Sequence, residues 1–153
     1  MGSVQAPDES RANIRASTQR GRCSRCQHGR VPPSVLVVDD HADFRAAARA
    51  LLAAHGWSVL GETADVRSTV AEVRRLRPDL VVIDVGLSPD DPEGDGIDLA
   101  HLLAGIEPPP SVVLVSARGR ASYGARLDEA PALGFVPKAD LSARRLSELL
   151  DAR

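Results

Sequence analysis

Five polar residues stand where apolar runs end. Asp39 and Asp40 follow Val35-Leu36-Val37-Val38, Asp84 follows Leu80-Val81-Val82-Ile83, Ser116 follows Val112-Val113-Leu114-Val115, and Lys138 follows Gly134-Phe135-Val136-Pro137. If the runs lie side by side, three carboxylates converge. Carboxylates that close raise one another's pKa and need a counter-charge. A divalent cation supplies it, and all-oxygen ligation favours Mg²⁺ with several waters retained. Helix capping is the ordinary job of an Asp in such a place. It accounts for Asp39 or Asp40, but not for a third carboxylate at the end of another run. Lys138 is the single lysine beside 18 arginines. A compact ammonium in an arginine-rich chain suits a point charge that must reach an oxyanion in a confined site.

The elements that must position these residues can be read from periodicity. The three longest apolar runs are rich in β-branched residues and lack polar alternation, which predicts strands buried on both faces of a parallel sheet. Trp57 to Glu62 reads as a weaker strand and Gly134 to Pro137 as a short one. Phe44, Ala47, Ala48, Leu51, Leu52 and His55 mark one face of a first helix, closed by Gly56. Val66, Val70, Val73 and Leu76 mark a second, capped by Asp65 and followed by Pro78. Ile97 to Ile106 gives a third, stopped by Pro108-Pro109-Pro110. Residues 120–130 give a weak fourth, flawed by Gly119 and Gly124; Leu141, Leu146, Leu149 and Leu150 give a fifth. Alternating strands and helices predict a doubly wound α/β domain. The strand order 2-1-3-4-5 places ligands where strands 1 and 3 diverge. Pro137 suits strand 5 as an edge, because proline cannot donate to the ladder.

With Val81-Val82-Ile83-Asp84-Val85, Val115-Ser116-Ala117 and Gly134-Phe135-Val136-Pro137-Lys138, the segment Val35 to Asp40 resembles, in order, the four signature stretches of response-regulator receiver domains. The resemblance covers residues 34–153 and implies a five-stranded flavodoxin-like fold. It implies that Asp84 is the phosphoacceptor, taking the phosphoryl group from a sensor histidine kinase or a histidine phosphotransfer protein. It further implies that Asp40, Asp84 and the backbone carbonyl of Gly86 ligate Mg²⁺, with Asp39 acting mainly through bound water. Ser116 would hydrogen-bond the phosphoryl group, Lys138 would pair with it, and Phe135 would be the aromatic that swings inward with Ser116. A phosphorylation-dependent dimer is compatible with this reading. Phosphoryl transfer asks for positioning and charge neutralisation more than covalent chemistry from side chains.

The chain departs from the family in three places. The active-site lysine is usually followed by a cis proline; here Ala139 follows, and a non-proline cis bond costs about 3 kcal/mol. The loop Gly86 to Gly96 is longer than usual and carries Asp90, Asp91, Glu93 and Asp95, read as a solvated acidic loop. Gly86 offers no side chain beside the phosphoryl group.

Length and charge set the remaining bounds. The 153 residues suffice for one ordinary domain. Residues 1–33 hold six Arg against Asp8 and Glu9, a sum of +4, so the overall −2 leaves −6 on residues 34–153. The N-terminal stretch has no hydrophobic period and is expected to be disordered. An acidic folded part argues against direct DNA binding. No apolar run approaches the length of a membrane span and no signal-like segment opens the chain, so the expected location is cytoplasmic. Cys23-x-x-Cys26 with His28 is half a zinc site, whereas structural zinc wants four ligands. Output is expected through protein contacts of a stand-alone domain, since no helix-turn-helix pattern follows the fifth helix. Two alternatives compete. A pseudo-receiver that is never phosphorylated would have lost part of the Asp, Ser and Lys set. An aspartyl-phosphate hydrolase would need its nucleophile on strand 1 and a substrate cap.

Overall fold

The computed structural model describes residues 31–87 and 92–153. The disorder expected before residue 31, the Cys23, Cys26 and His28 group, and Asp90 and Asp91 lie outside the described residues.

Five strands form one parallel sheet in the order β2-β1-β3-β4-β5: β1 Ser34–Val38, β2 Ser58–Thr63, β3 Leu80–Asp84, β4 Ser111–Ser116 and β5 Gly134–Pro137. This is the expected architecture. Every residue of β3 is buried, and Val35 to Val38 are as well. Side-chain alternation divides each central strand between two cores. Leu36, Val38, Val81, Ile83, Val112 and Leu114 face one; Val35, Val37, Leu80, Val82, Val113 and Val115 face the other. Helices α2 (Val66–Leu76) and α3 (Gly96–Ala104) cover the first face through Val66, Val73, Ile97, Leu99 and Leu103. Helices α1 (Ala42–Ala54) and α5 (Ala143–Asp151) cover the second through Ala48, Leu52, Ala143 and Leu146. Fully burying one such Leu or Val contributes about 1.5–3 kcal/mol. Continuous apolar strands are therefore what two covered faces require.

Local chemistry sets the helix ends. Helix α1 stops where Gly56 takes φ +84°, a conformation that costs glycine nothing. Asp65 Oδ1 accepts from Ser68 N–H at 2.7 Å and caps α2. Asp95 and Asp98 form a reciprocal capping box at α3. Ser142 caps α5 by accepting from Arg145 N–H at 3.2 Å, so Leu141 precedes that helix while still packing into its core.

The fourth helix differs from expectation. Residues 120–130 do not make one helix. They make a 3₁₀ turn at Arg120–Ser122 and a four-residue α4, Ala125–Asp128. Gly119 is extended and Gly124 takes φ +55°, ψ −143°, so the two glycines break the segment instead of only weakening it. Leu127 alone in α4 is buried, where it joins the α2–α3 core. Among the described residues, no helix is long and apolar enough to cross a membrane.

Candidate functional site

The sheet brings Asp39, Asp40, Asp84, Ser116 and Lys138 to its C-terminal edge. Val38 pairs with Ile83, Asp84 with Val115 and Ser116 with Pro137, so these strand ends are level. Asp39 is fully buried, Asp84 and Ser116 nearly so, and Asp40 is exposed. The Lys138 ammonium lies 2.5 Å from Asp39 Oδ2 and 3.4 Å from Asp84 Oδ2. Its stem passes the Phe44 ring, with Nζ 4.4 Å from the centroid. Lys138 opens a 3₁₀ turn, Lys138–Asp140, and its peptide to Ala139 is trans; among the described residues, Glu107–Pro108 is the cis bond. The lysine therefore reaches the carboxylates without a cis bond after it.

Backbone donors fix Asp84 and the peptide that follows it. Gly86 N–H donates to Asp84 Oδ1 at 3.2 Å, and Val85 N–H to the Val115 carbonyl at 2.8 Å. Burial, and next the charge of Asp39, push the Asp84 carboxyl above its ordinary range against the pull of Lys138 and Gly86. Burial also disfavours the Lys138 charge. Contact with Asp39 and the charges of Asp84 and Asp39 outweigh it, so the Lys138 pKa is raised and the ammonium persists.

The acidic group gains a member that sequence left unassigned. His41 N–H donates to Asp39 Oδ1 at 2.8 Å, and His41 Nδ1 lies 3.0 Å from Asp39 Oδ1 and 2.9 Å from Asp40 Oδ1. One donor atom each from Asp39, Asp40, His41 and Asp84 lies within 4.8 Å of the others, a spacing that can hold a metal ion. Asp39 Oδ2 is buried, and the Lys138 ammonium is its counter-charge. The fit to Mg²⁺ therefore rests on the three carboxylates and their mutual spacing.

Asp84, Ser116 and Lys138 open onto a cavity of about 510 Å³, whose wall also includes Arg118, Tyr123 and Arg126. Sequence reasoning missed these last residues. Tyr123 Oη lies 2.5 Å from Ser116 Oγ. Phe135, half-buried on β5, sits beside it, with ring centroids 6.3 Å apart and planes tilted 56°. Arg126 grips Asp95 at 2.9 and 3.1 Å and reaches Asp98 at 3.4 Å. Burial disfavours the Asp95 charge, but bonds from Arg126 and the helix backbone hold its carboxyl below the usual range. The described part of the acidic loop is thus partly structural: Asp95 caps α3, and Glu93 lies 3.5 Å from Arg67. The signal available in sequence was slight. Tyr123 is the sole tyrosine and His41 directly follows the paired aspartates.

A doubly wound α/β fold with acidic, lysine-countered residues at its switch point is an arrangement suited to phosphoryl chemistry. Residues 35–151 match the model of the response regulator receiver domain, and the chain belongs to that family. It is similar to the chemotaxis protein CheY of Thermotoga maritima, 31% identical over 104 residues, covering 68% of this chain and 83% of that protein. It is also similar to the DNA-binding transcriptional activator EvgA of Escherichia coli K12, 34% identical over 105 residues, covering 69% of this chain and 50% of that protein. The chain thus spans about half the length of some curated relatives it matches. Among solved structures, the signal receiver domain of the response regulator NarL from Mycobacterium tuberculosis superposes with a TM-score of 0.70 at 25% identity, covering 81% of this chain and all of that one. The response regulator domain of Thermotoga maritima CheB shares the fold, with a TM-score of 0.65 at 24% identity over 80% of this chain and 96% of that one.

Proposed function

We propose that this receiver domain takes a phosphoryl group onto Asp84 from the phosphohistidine of a sensor histidine kinase or histidine phosphotransfer protein, and signals through changed protein contacts. The observation that carries the reading is the Lys138 ammonium held between Asp39 and Asp84 at the mouth of one cavity with Ser116. An Asp84 carboxylate oxygen attacks phosphorus; the O–P bond forms, the P–N bond breaks, and the imidazole leaves with the electron pair. Asp84 must be ionised to attack, and Lys138 opposes the burial that favours its acid form. Lys138 then pairs with a phosphoryl oxygen and Ser116 donates its hydroxyl to another. Asp40, Asp84 and the Gly86 carbonyl would hold Mg²⁺, with Asp39 acting mainly through bound water, and the ion's chemistry there is neutralising charge on the phosphoryl oxygens. The domain acts as a phosphoacceptor and not as an enzyme on a separate substrate. Its residues carry no DNA-binding role of their own, in keeping with the acidic charge of residues 34–153.

The test is labelling with acetyl phosphate and Mg²⁺, read by intact mass. The wild type gains one acid-labile phosphoryl group, and Asp84→Asn gains none. Full labelling of the Asn variant would place the acceptor elsewhere.

A further inference from the structure

Ser116 is nearly buried at the end of β4, and its hydroxyl has one proton and two lone pairs. Arg118 N–H donates to Ser116 Oγ at 3.0 Å, which uses one lone pair. Tyr123 Oη lies 2.5 Å away, and hydrogen positions alone leave the direction of that bond open. Access to the cavity separates the two directions. If the tyrosine donated, the Ser116 proton would be left to the cavity, which the nearly buried Ser116 reaches less than the half-buried Tyr123 does. If Ser116 donates, its proton is satisfied, and the tyrosine's own proton faces the cavity that Tyr123 lines. Ser116 is therefore the donor at rest.

This matters because a phosphoryl oxygen on Asp84 needs that same proton. We infer that Tyr123 is the resting partner of Ser116, that phosphorylation exchanges the Tyr123 hydroxyl for a phosphoryl oxygen, and that the phenol thereby sets the affinity of the site for the phosphoryl group. The inference rests on Asp84 being the phosphoacceptor. Phe135 cannot take this role, having no hydroxyl, although its ring neighbours that of Tyr123. Gly119 and Gly124 flank Tyr123, and Gly124 takes φ +55°, a conformation that glycine adopts freely. Beyond Gly124, Arg126 ties α4 to Asp95 at the start of α3. Tyr123 is a positioning residue, acting on the phosphoryl group through Ser116.

Two measurements test this. Beryllofluoride with Mg²⁺ is titrated calorimetrically into the wild type, Tyr123→Phe, Ser116→Ala and the double variant. Losing one competing neutral hydrogen bond should tighten binding by Tyr123→Phe about 2- to 10-fold, and the same change should alter nothing in the Ser116→Ala background. Unchanged or weaker binding by Tyr123→Phe, or an equal gain in both backgrounds, overturns the inference. Secondly, 3-fluorotyrosine reports on one site, Tyr123 being the sole tyrosine. Its fluorine resonance should shift in Ser116→Ala without any ligand; a stationary line overturns the inference. Failure of the wild type to bind beryllofluoride would count against Asp84 as the phosphoacceptor, while the fluorine experiment still reads the Ser116–Tyr123 bond directly.

Discussion

Replacing Gly96 by alanine presses on the strand that carries Asp84, the proposed acceptor. An added Cβ would stand 2.8 Å from the Asp84 carbonyl carbon and 2.9 Å from Val85 Cα, with the Asp84 carbonyl oxygen closer still. Ordinary contact begins at 3.4 Å, so helix α3 and β3 must separate by more than the roughly 0.6 Å that the two carbon contacts alone require, the oxygen demanding the most. Neither side is a flexible side chain. Strand β3 is paired on both edges, and Gly96 N–H donates to the Val85 carbonyl at 3.2 Å. Overpacking of this kind typically costs about 1–3 kcal/mol, which in a domain of this size lowers the melting temperature by roughly 4–12 °C. A misplacement of ~1 Å at a reacting group costs about 100-fold in rate, so labelling of Asp84 should slow roughly ten-fold. Circular-dichroism melting and timed acetyl phosphate labelling read the two effects. Gly86→Ala is the control: its Cβ would lie 3.7 and 3.8 Å from the Asp84 carboxylate oxygens, in ordinary contact, and it should fold as wild type does. A Gly96→Ala protein that melts with the wild type would refute the steric argument. One that is destabilised but labels at the wild-type rate would refute the link from α3 to Asp84.

Three further outcomes follow from the site's charges. Because the Asp84 pKa is raised above 3.8, its ionised form costs folded-state stability; the contribution is fully present below 3.8 and is lost as pH rises through the raised value. Without divalent cations Asp84→Asn should melt above wild type at neutral pH, with the gap closing as pH falls toward 3.8; a gap independent of pH would contradict this. Mg²⁺ at about 100 times its Kd should stabilise the wild type by about 2.7 kcal/mol, and Asp40→Ala should lose most of that gain; equal shifts would put the cation elsewhere. The Asp95 carboxyl is held below 3.8, so its contribution is present above that value and lost as pH falls through the lower one. Asp95→Ala removes both the α3 cap and the Arg126 pair and should cost about 1 kcal/mol or more, whereas Arg126→Ala removes the half-exposed pair and leaves the cap; equal losses in denaturant unfolding would show that the cap contributes nothing.

Much of this protein was legible in its sequence. Strands covered on both faces must be apolar at consecutive positions, so Val35 to Val38, Leu80 to Ile83 and Val112 to Val115 announced a parallel sheet. Each was followed by the polar residue that topology then brought to one edge. Lys138, singled out by its solitude among arginines as a point charge for an oxyanion, lies against Asp39 and Asp84. The tertiary structure decided the rest, because those features depend on pairs distant in the chain or on backbone angles that residue type does not dictate. Lys138 contacts Asp39 more closely than Asp84, a matter of how β5 is placed beside β4. Asp95, read as part of a solvated loop, became a helix cap gripped by an arginine 31 residues away. The fourth helix broke at Gly124, since glycine permits positive φ without announcing it and so few apolar side chains there could enforce a helix. His41 and Tyr123 carried no periodic signal; each meets its partner through a local turn after a strand, His41 beside Asp39 and Asp40 and Tyr123 beside Ser116, whose geometry residue type does not dictate.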